Sequence, residues 1–122
     1  MKKVKDNFDL YWVDIKYSDN DKSKNRPCVL INVSDNGYDF LKLTSNIDLN
    51  YPHYVLKDYL GAGLKKPSAI QIDRIYRLET QSSIGDYIGT LTSEDIKGLI
   101  NASANSNHLK LILQEDFQIK NF

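Results

Sequence analysis

Arg26 is the residue of this sequence best placed to do chemistry, because it joins a basic polar segment to an apolar run. Lys22 and Lys24 precede it, and Pro27 and the four apolar residues 28–31 follow it. Such an unbroken apolar run is typical of a short strand buried on both faces, with the proline at its first position. A guanidinium fixed at the start of that strand presents a planar fork of donors that suits a phosphate group. An arginine paired with a surface carboxylate fits the same pattern, so both interpretations stay open.

Short hydroxyl side chains and a pair of lysines are further candidates for a phosphate site. Thr44 and Ser45 end a predicted strand just past its apolar face. Lys65 and Lys66 lie shortly before Ser68, at the start of another predicted strand. The lysine pair fits either solvated surface charges or a track for phosphate groups. Ser68 also fits an ordinary polar residue at a strand start.

Two histidines and several tyrosines offer other chemistry. Histidine has an unperturbed pKa of about 6.5, so His53 and His108 are an alternative acid–base pair, although surface, interface or capping positions explain both more simply. Tyr17 and Tyr51 adjoin polar loops, where they would either stack on unpaired bases or be partly buried in the fold. Cys28 lies inside the apolar run, which favours a small buried side chain over a nucleophile.

The composition limits the class of protein. A length of 122 residues suits one domain, and 41% hydrophobic with 26% charged residues is ordinary for a globular chain. Lys and Arg together number 16, as do Asp and Glu, so no global basic field indicates nucleic-acid binding, although local basic clusters exist. A lone cysteine excludes a disulfide framework and a zinc knuckle. The basic N-terminus lacks the apolar stretch of a signal peptide and no segment has the length of a membrane span, so we expect a cytoplasmic protein that does not bind membranes.

The elements that must position these residues follow from hydrophobic periodicity. Residues 10–17 alternate as a half-buried strand with Trp12 on its polar face, where a loop or another subunit would cover it. A polar loop at 18–25 separates this strand from the apolar run. Further strands are predicted at 28–31, 38–45, 53–56, 68–78 and 84–91, with a tight turn at 34–37.

A helix beginning at Thr92 completes the pattern. Thr92 is a favourable N-cap, and Glu94 and Asp95 place negative charge in the first turn. The tail at 108–122 fits a strand or a helix equally. The prediction is therefore a single domain over 1–122 that is mainly β with a C-terminal helix (α+β). Its barrel would span about 8–91, its helix about 92–104, and closure of the barrel would remove exposed sheet edges.

Six blocks of the sequence, in this order, resemble the MazF/PemK-type toxins of bacterial type II toxin–antitoxin systems. The blocks are DLYWVDI at 9–15, KNRPCVLI at 24–31, LTS at 43–45, GLKKPSAI at 63–70, DRI at 73–75 and IGTLTSED at 88–95. The resemblance extends over roughly residues 9–104. The family often begins with Gly-Asp, where this chain has Phe8 and Asp9.

The resemblance implies a small SH3-like barrel of the MazF/PemK/CcdB type, acting as a homodimer and neutralised by an antitoxin protein. It implies an endoribonuclease that cleaves single-stranded RNA, with mRNA as the expected target, and that uses neither metal nor cofactor. The family's catalytic arginine and threonine correspond to Arg26 and Thr44. We expect the RNA-binding residues to be a set of lysines and serines near them: Lys22, Lys24, Ser45, Lys65, Lys66 and Ser68.

The implied chemistry is attack of a ribose 2′-OH on its own phosphate, for which positioned donors stabilise the developing charge. Arginine in general titrates above about 12 and is a poor base near neutral pH, so we expect Arg26 to stabilise the phosphate and donate a proton. Two alternatives remain. One is a non-catalytic toxin or binding module of the same barrel type that blocks a protein target, as CcdB toxins do with gyrase. The other is an inactive relative in which the tail from 108 fills the groove.

Overall fold

The computed structural model describes residues 6–16, 23–35 and 37–104 of the chain. It contains seven strands, a 3₁₀ turn at Gln81–Ser83 and one α-helix within these ranges. The strands are β1 (Asp9–Lys16), β2 (Ser23–Ser34), β3 (Gly37–Thr44), β4 (His53–Val55), β5 (Ala69–Gln71), β6 (Tyr76–Leu78) and β7 (Ile84–Thr90). The helix α1 spans Ser93–Ala102. No helix among these residues is long and apolar enough to cross a membrane.

The strands form one antiparallel sheet in the order β4-β5-β3-β2-β1-β7, with β6 paired to the first half of β3. The predicted fold class, mainly β with a C-terminal helix, is confirmed. The full closure expected of a barrel is not seen, because no ladder joins β4 to β7 among the described residues. The helix contacts β4 instead. The backbone of Ala62 and Gly63 lies against β7 at Ile88 and Gly89. In the part of the chain that the structure describes, the outer edges of β4 and β7 are therefore contacted by the helix and by the 62–63 segment, and not by another strand.

The apolar run at 28–31 is the centre of the sheet, as predicted. All four residues have no exposed surface, and their side chains alternate between two hydrophobic clusters. Val29 and Ile31 join the cluster under the helix, which includes Leu99, whereas Cys28 and Leu30 join the cluster on the other face. Each fully buried aliphatic side chain of this kind stabilises the fold by roughly 1.5–3 kcal/mol. The strand that carries Arg26 is thus firmly held.

Two sequence-based predictions of strand bounds differ from the structure. β2 begins at Ser23, so Pro27 is inside the strand and the polar loop is shorter than expected. At Pro27 the strand is paired only to β1, since its ladder with β3 begins at Cys28, and a strand paired on one side tolerates a residue without an N–H. The expected strand at 68–78 is two strands, β5 and β6, which pair with different halves of β3. The tail at 108–122 lies outside the described residues.

The turn and the helix form as predicted. Ser34 pairs with Gly37, whose φ of +131° suits glycine, and a Cβ there would meet the Leu78 oxygen at 2.3 Å. The Thr92 hydroxyl accepts a bond of 3.4 Å from the N–H of Asp95, which caps α1. Leu99 on the inner face of the helix is fully buried. The helix is therefore fixed to the sheet by its cap and its apolar face.

Phe8 occupies a backbone conformation that glycine adopts more readily. Its φ is +72°, and left-handed backbone costs a residue with a Cβ roughly 1–2 kcal/mol. The ring is buried, its N–H donates to Leu30, and its carbonyl accepts from Leu91 at 3.0 Å. These contacts offset the strain. The position where the family often has glycine is thus filled by a core aromatic residue.

Candidate functional site

A cavity of about 560 Å³ opens where β2 and β3 separate. Every site residue predicted from the sequence whose side chain the structure describes lines this cavity: Arg26, Thr44, Ser45, Lys65, Lys66 and Ser68. Lys22 lies outside the described residues, and so does the side chain of Lys24. Sequence pattern alone does not show that Lys65 and Lys66 line the same cavity as Arg26, because about forty residues separate them in the chain.

Arg26 and Thr44 come together through strand register. The ladder between β2 and β3 stops at the pair Cys28 and Lys42. Two residues further along each strand are Arg26 and Thr44, which therefore share one face of the sheet. Beyond the ladder the strands take different partners, Val13 for Arg26 and Ala69 for Thr44. The cavity lies in the gap that results.

The Arg26 side chain is half-buried and has an unpaired donor. Its Nε atom is buried and has no hydrogen-bond partner among the residues that the structure describes. A buried donor without an acceptor costs free energy, more so when it belongs to a charged group. An anion bound in the cavity would supply an acceptor to the guanidinium fork.

The hydroxyl of Thr44 is oriented by the backbone two residues further along the chain. The N–H of Asn46 donates to Thr44 Oγ1 over 3.1 Å, so the oxygen is used as an acceptor and its hydrogen remains to be donated. Ser45 is exposed beside it. Ser68 is buried and donates to the carbonyl of Lys66 over 2.9 Å. Ser68 thus shapes the segment that carries the lysines, and its hydrogen is already engaged.

The cavity lining contains three cationic side chains. Lys65 and Lys66 are exposed and line the same cavity as Arg26, and no acidic residue lines it within the described ranges. Three positive charges without a lining carboxylate make a positive potential that attracts anions. Phosphate groups of a nucleic acid fit this environment. The lining also includes the apolar residues Trp12, Pro27, Leu43, Leu64 and Ile88.

The segment that carries the lysines is anchored by a carboxylate of the helix. Asp95 is fully buried and accepts three short hydrogen bonds, from the Tyr54 hydroxyl at 2.7 Å and from the N–H groups of Lys57 and Asp58 at 2.9 Å each. A longer bond of 3.5 Å comes from the Thr92 hydroxyl. Burial and the bond to Asp95 raise the pKa of Tyr54. Sequence analysis missed this role and treated Asp95 only as a charge near the helix dipole. The Thr-x-x-Asp spacing at 92–95 is the signal that favoured a cap.

The alternative acid–base and stacking residues that the structure describes do not line the cavity. His53 Nδ1 is 2.8 Å from the Tyr51 carbonyl, and the Tyr51 hydroxyl accepts a bond from Gln71. Neither His53 nor Tyr51 lines the cavity. His108 and Tyr17 fall outside the described residues. The aromatic residue that does line the cavity is Trp12, which the sequence marked only by its position on the polar face of β1.

Comparison with known proteins identifies the family. The family described as PemK-like, MazF-like toxin of type II toxin-antitoxin system matches residues 6–105, and the chain belongs to this family. The resemblance drawn from the sequence blocks is therefore confirmed. Among solved structures, the Mycobacterium tuberculosis toxin MazF-mt6 has a TM-score of 0.64 and 15% sequence identity, over 82% of this chain and 96% of that chain. This likeness shows the shared fold. No curated protein matches the chain.

Proposed function

We propose that this toxin is an endoribonuclease that cleaves single-stranded RNA, with mRNA as its natural target. The observation that supports this most directly is that Arg26, Thr44 and two lysines of a MazF-like toxin line one cavity. The proposal includes a homodimer, an antitoxin that neutralises the activity, and a cytoplasmic site of action, where mRNA is found.

The proposed reaction is an internal displacement at phosphorus. The ribose 2′-OH gives up its proton and its oxygen attacks the adjacent phosphate, the bond to the 5′-oxygen breaks, and that oxygen takes up a proton. The products carry a 2′,3′-cyclic phosphate and a 5′-hydroxyl. Charge builds on the non-bridging oxygens in the transition state, and donors already in place stabilise that charge by several kcal/mol. Arg26 supplies a fixed cation and Thr44 a hydroxyl donor. Lys65 and Lys66 hold neighbouring phosphates of the strand.

The test is digestion of a long unstructured RNA by purified protein in EDTA. We expect discrete fragments with 2′,3′-cyclic phosphate ends. Arg26→Ala should abolish cleavage, and Thr44→Val, which keeps the shape but removes the hydroxyl, should slow it by roughly a hundredfold if the donor contributes about 2.7 kcal/mol. Arg74→Ala is the matched control, because Arg74 is exposed, packs over the Tyr76 ring at 4.8 Å and does not line the cavity.

Thermal unfolding of each variant shows whether the fold is retained. Full cleavage by a folded Arg26→Ala variant would refute the assignment of Arg26. Absence of fragments from the wild-type protein would instead favour the non-catalytic toxin that blocks a protein target.

A further inference from the structure

Trp12 is an exposed aromatic residue in the middle of β1, between two buried residues. Its neighbours Tyr11 and Val13 have at most 1% of their surface exposed, whereas 40% of the surface of Trp12 is exposed. Alternation alone places it on the face opposite these neighbours. Asp14, two residues further on, is a polar residue that suits such an exposed position, but an indole gains free energy from being covered.

The residues beside Trp12 leave its ring accessible. Pro27 is its direct partner on β2 and lines the cavity with it. On the β7 side lies Gly85, where a Cβ would be 3.0 Å from the Trp12 carbonyl oxygen and 3.5 Å from its Cβ. Because Gly85 has no side chain, nothing from that position covers the indole. This gap is consistent with the 40% exposure of Trp12.

The composition of the cavity matches the two parts of a nucleotide. Arg26, Lys65 and Lys66 supply its positive charges, whereas Trp12 and Pro27 are among its apolar lining residues. A phosphate needs cations and donors, and an unpaired base needs a flat apolar surface. The charge of the cavity therefore favours RNA over an apolar segment of protein, which would bring no anion to the lysines.

We propose that Trp12 stacks on an unpaired RNA base next to the phosphate held by Arg26. This proposal rests on the proposed function, since it assigns the base-binding part of the same site. Stacking on an aromatic residue tolerates any base, because every base has a flat face. Trp12 thus contributes affinity for single-stranded RNA, and duplex RNA, whose bases are already stacked, is excluded.

The first experiment uses the fluorescence of Trp12, which is the only tryptophan of the chain. The probe is a mixed-sequence single-stranded 2′-O-methyl RNA 12-mer, which the 2′-OH chemistry cannot cleave. Its control is an oligomer with the same backbone and abasic residues. We expect quenching by the 12-mer and none by the abasic oligomer. Equal quenching by both would overturn stacking, as would binding of the 12-mer without quenching. A signal that changes on dilution of the protein and not with RNA would show that a second copy covers Trp12, which also overturns the proposal.

The second experiment uses substitutions. Trp12→Leu keeps an apolar side chain and should weaken binding of the 12-mer, and raise KM for a cleavable RNA, by about tenfold or more. Trp12→Phe keeps a ring and should restore most of that loss. Tyr87→Leu is the matched control, because Tyr87 is an aromatic residue with 41% exposure on the neighbouring strand that does not line the cavity.

The outcomes separate this proposal from the proposed function. If cleavage depends on Arg26 while Trp12→Leu binds and cleaves like the wild type, stacking is wrong and the enzyme assignment stands. If the wild type cleaves no RNA but Trp12 is quenched by the base-bearing oligomer alone, the base-binding site stands and the enzyme assignment is wrong. Circular dichroism of each variant confirms that folded protein is being compared.

Discussion

Replacing Asp95 by alanine should destabilise the protein strongly, because its carboxylate accepts three short hydrogen bonds from outside the helix, besides a longer one from the Thr92 hydroxyl. The Tyr54 hydroxyl and the N–H of Lys57 bond to one oxygen, and the N–H of Asp58 bonds to the other. Asp95 itself is fully buried, so the space it leaves is not open to solvent. All three donors lose their acceptor in Asp95→Ala.

The size of the loss follows from the surroundings of each donor. A buried donor left without an acceptor costs about 1–3 kcal/mol. Lys57 and Asp58 are exposed residues and Tyr54 is half-buried, so water reaches part of this region and the lower limit applies. We expect a loss of about 3 kcal/mol in the free energy of unfolding, a large part of the 5–15 kcal/mol that holds a typical domain. Asp95→Asn keeps one acceptor oxygen and should lose about half as much.

The assay is urea unfolding followed by circular dichroism, with Glu94→Gln as the matched control. Glu94 is exposed in the same helical turn, so losing its charge removes only a dipole interaction of about 0.3–1 kcal/mol. Activity adds a second measurement, because the anchored segment leads to Lys65 and Lys66 at the cavity. In Asp95→Asn, KM for RNA should rise while kcat changes little. Equal stability of Asp95→Ala and Glu94→Gln would refute the reasoning.

Two further predictions concern the buried cysteine and a close backbone contact. Burial raises the pKa of the Cys28 thiol to about 12, so the unfolded chain loses that proton first. This stabilisation of the folded state is complete below about pH 9 and is lost as pH rises, so the free energy of unfolding falls by about 1 kcal/mol between pH 8 and pH 10. Urea unfolding of Cys28→Ala should show a shallower decline of stability with pH, and equal slopes for the two proteins would contradict this. A Cβ in Gly89→Ala would lie 2.0 Å from the Ala62 oxygen and push the neighbouring segment off β7, lowering stability by about 1–3 kcal/mol; an unchanged melting temperature would count against that contact.

The parts of the fold that the sequence predicts are those set by local pattern. The apolar run at 28–31, the pairing of Ser34 with Gly37 across the predicted turn, and the cap at Thr92 each depend on residues close together in the chain, and all three form as expected. The prediction that the barrel closes was wrong, because closure depends on which elements pack against β4 and β7. The split of 68–78 was missed because β3 takes a different partner for each half, and periodicity within one segment does not reveal that.

The candidate site shows the same division. Register makes Arg26 and Thr44 neighbours because both lie two residues beyond the last pair of one hairpin ladder. The space beside Trp12 is left by Gly85, a residue of β7 more than seventy positions away. The hydrogen bonds of the buried Asp95 come in part from the segment after β4. Long-range packing decides such contacts, so sequence pattern alone gives them no signal.

The residues proposed for catalysis and those proposed to hold RNA belong to elements of unequal rigidity, which makes their effects separable. Arg26 lies two residues before the fully buried Cys28 and Thr44 directly follows the buried Leu43, so displacing them requires disruption of the core. Lys65 and Lys66 belong to a segment held to the helix through Asp95 and to β7 through backbone contact. Small openings of that segment cost less free energy than loss of a core strand. Changes at the anchor should therefore act on RNA affinity before they act on the chemical step.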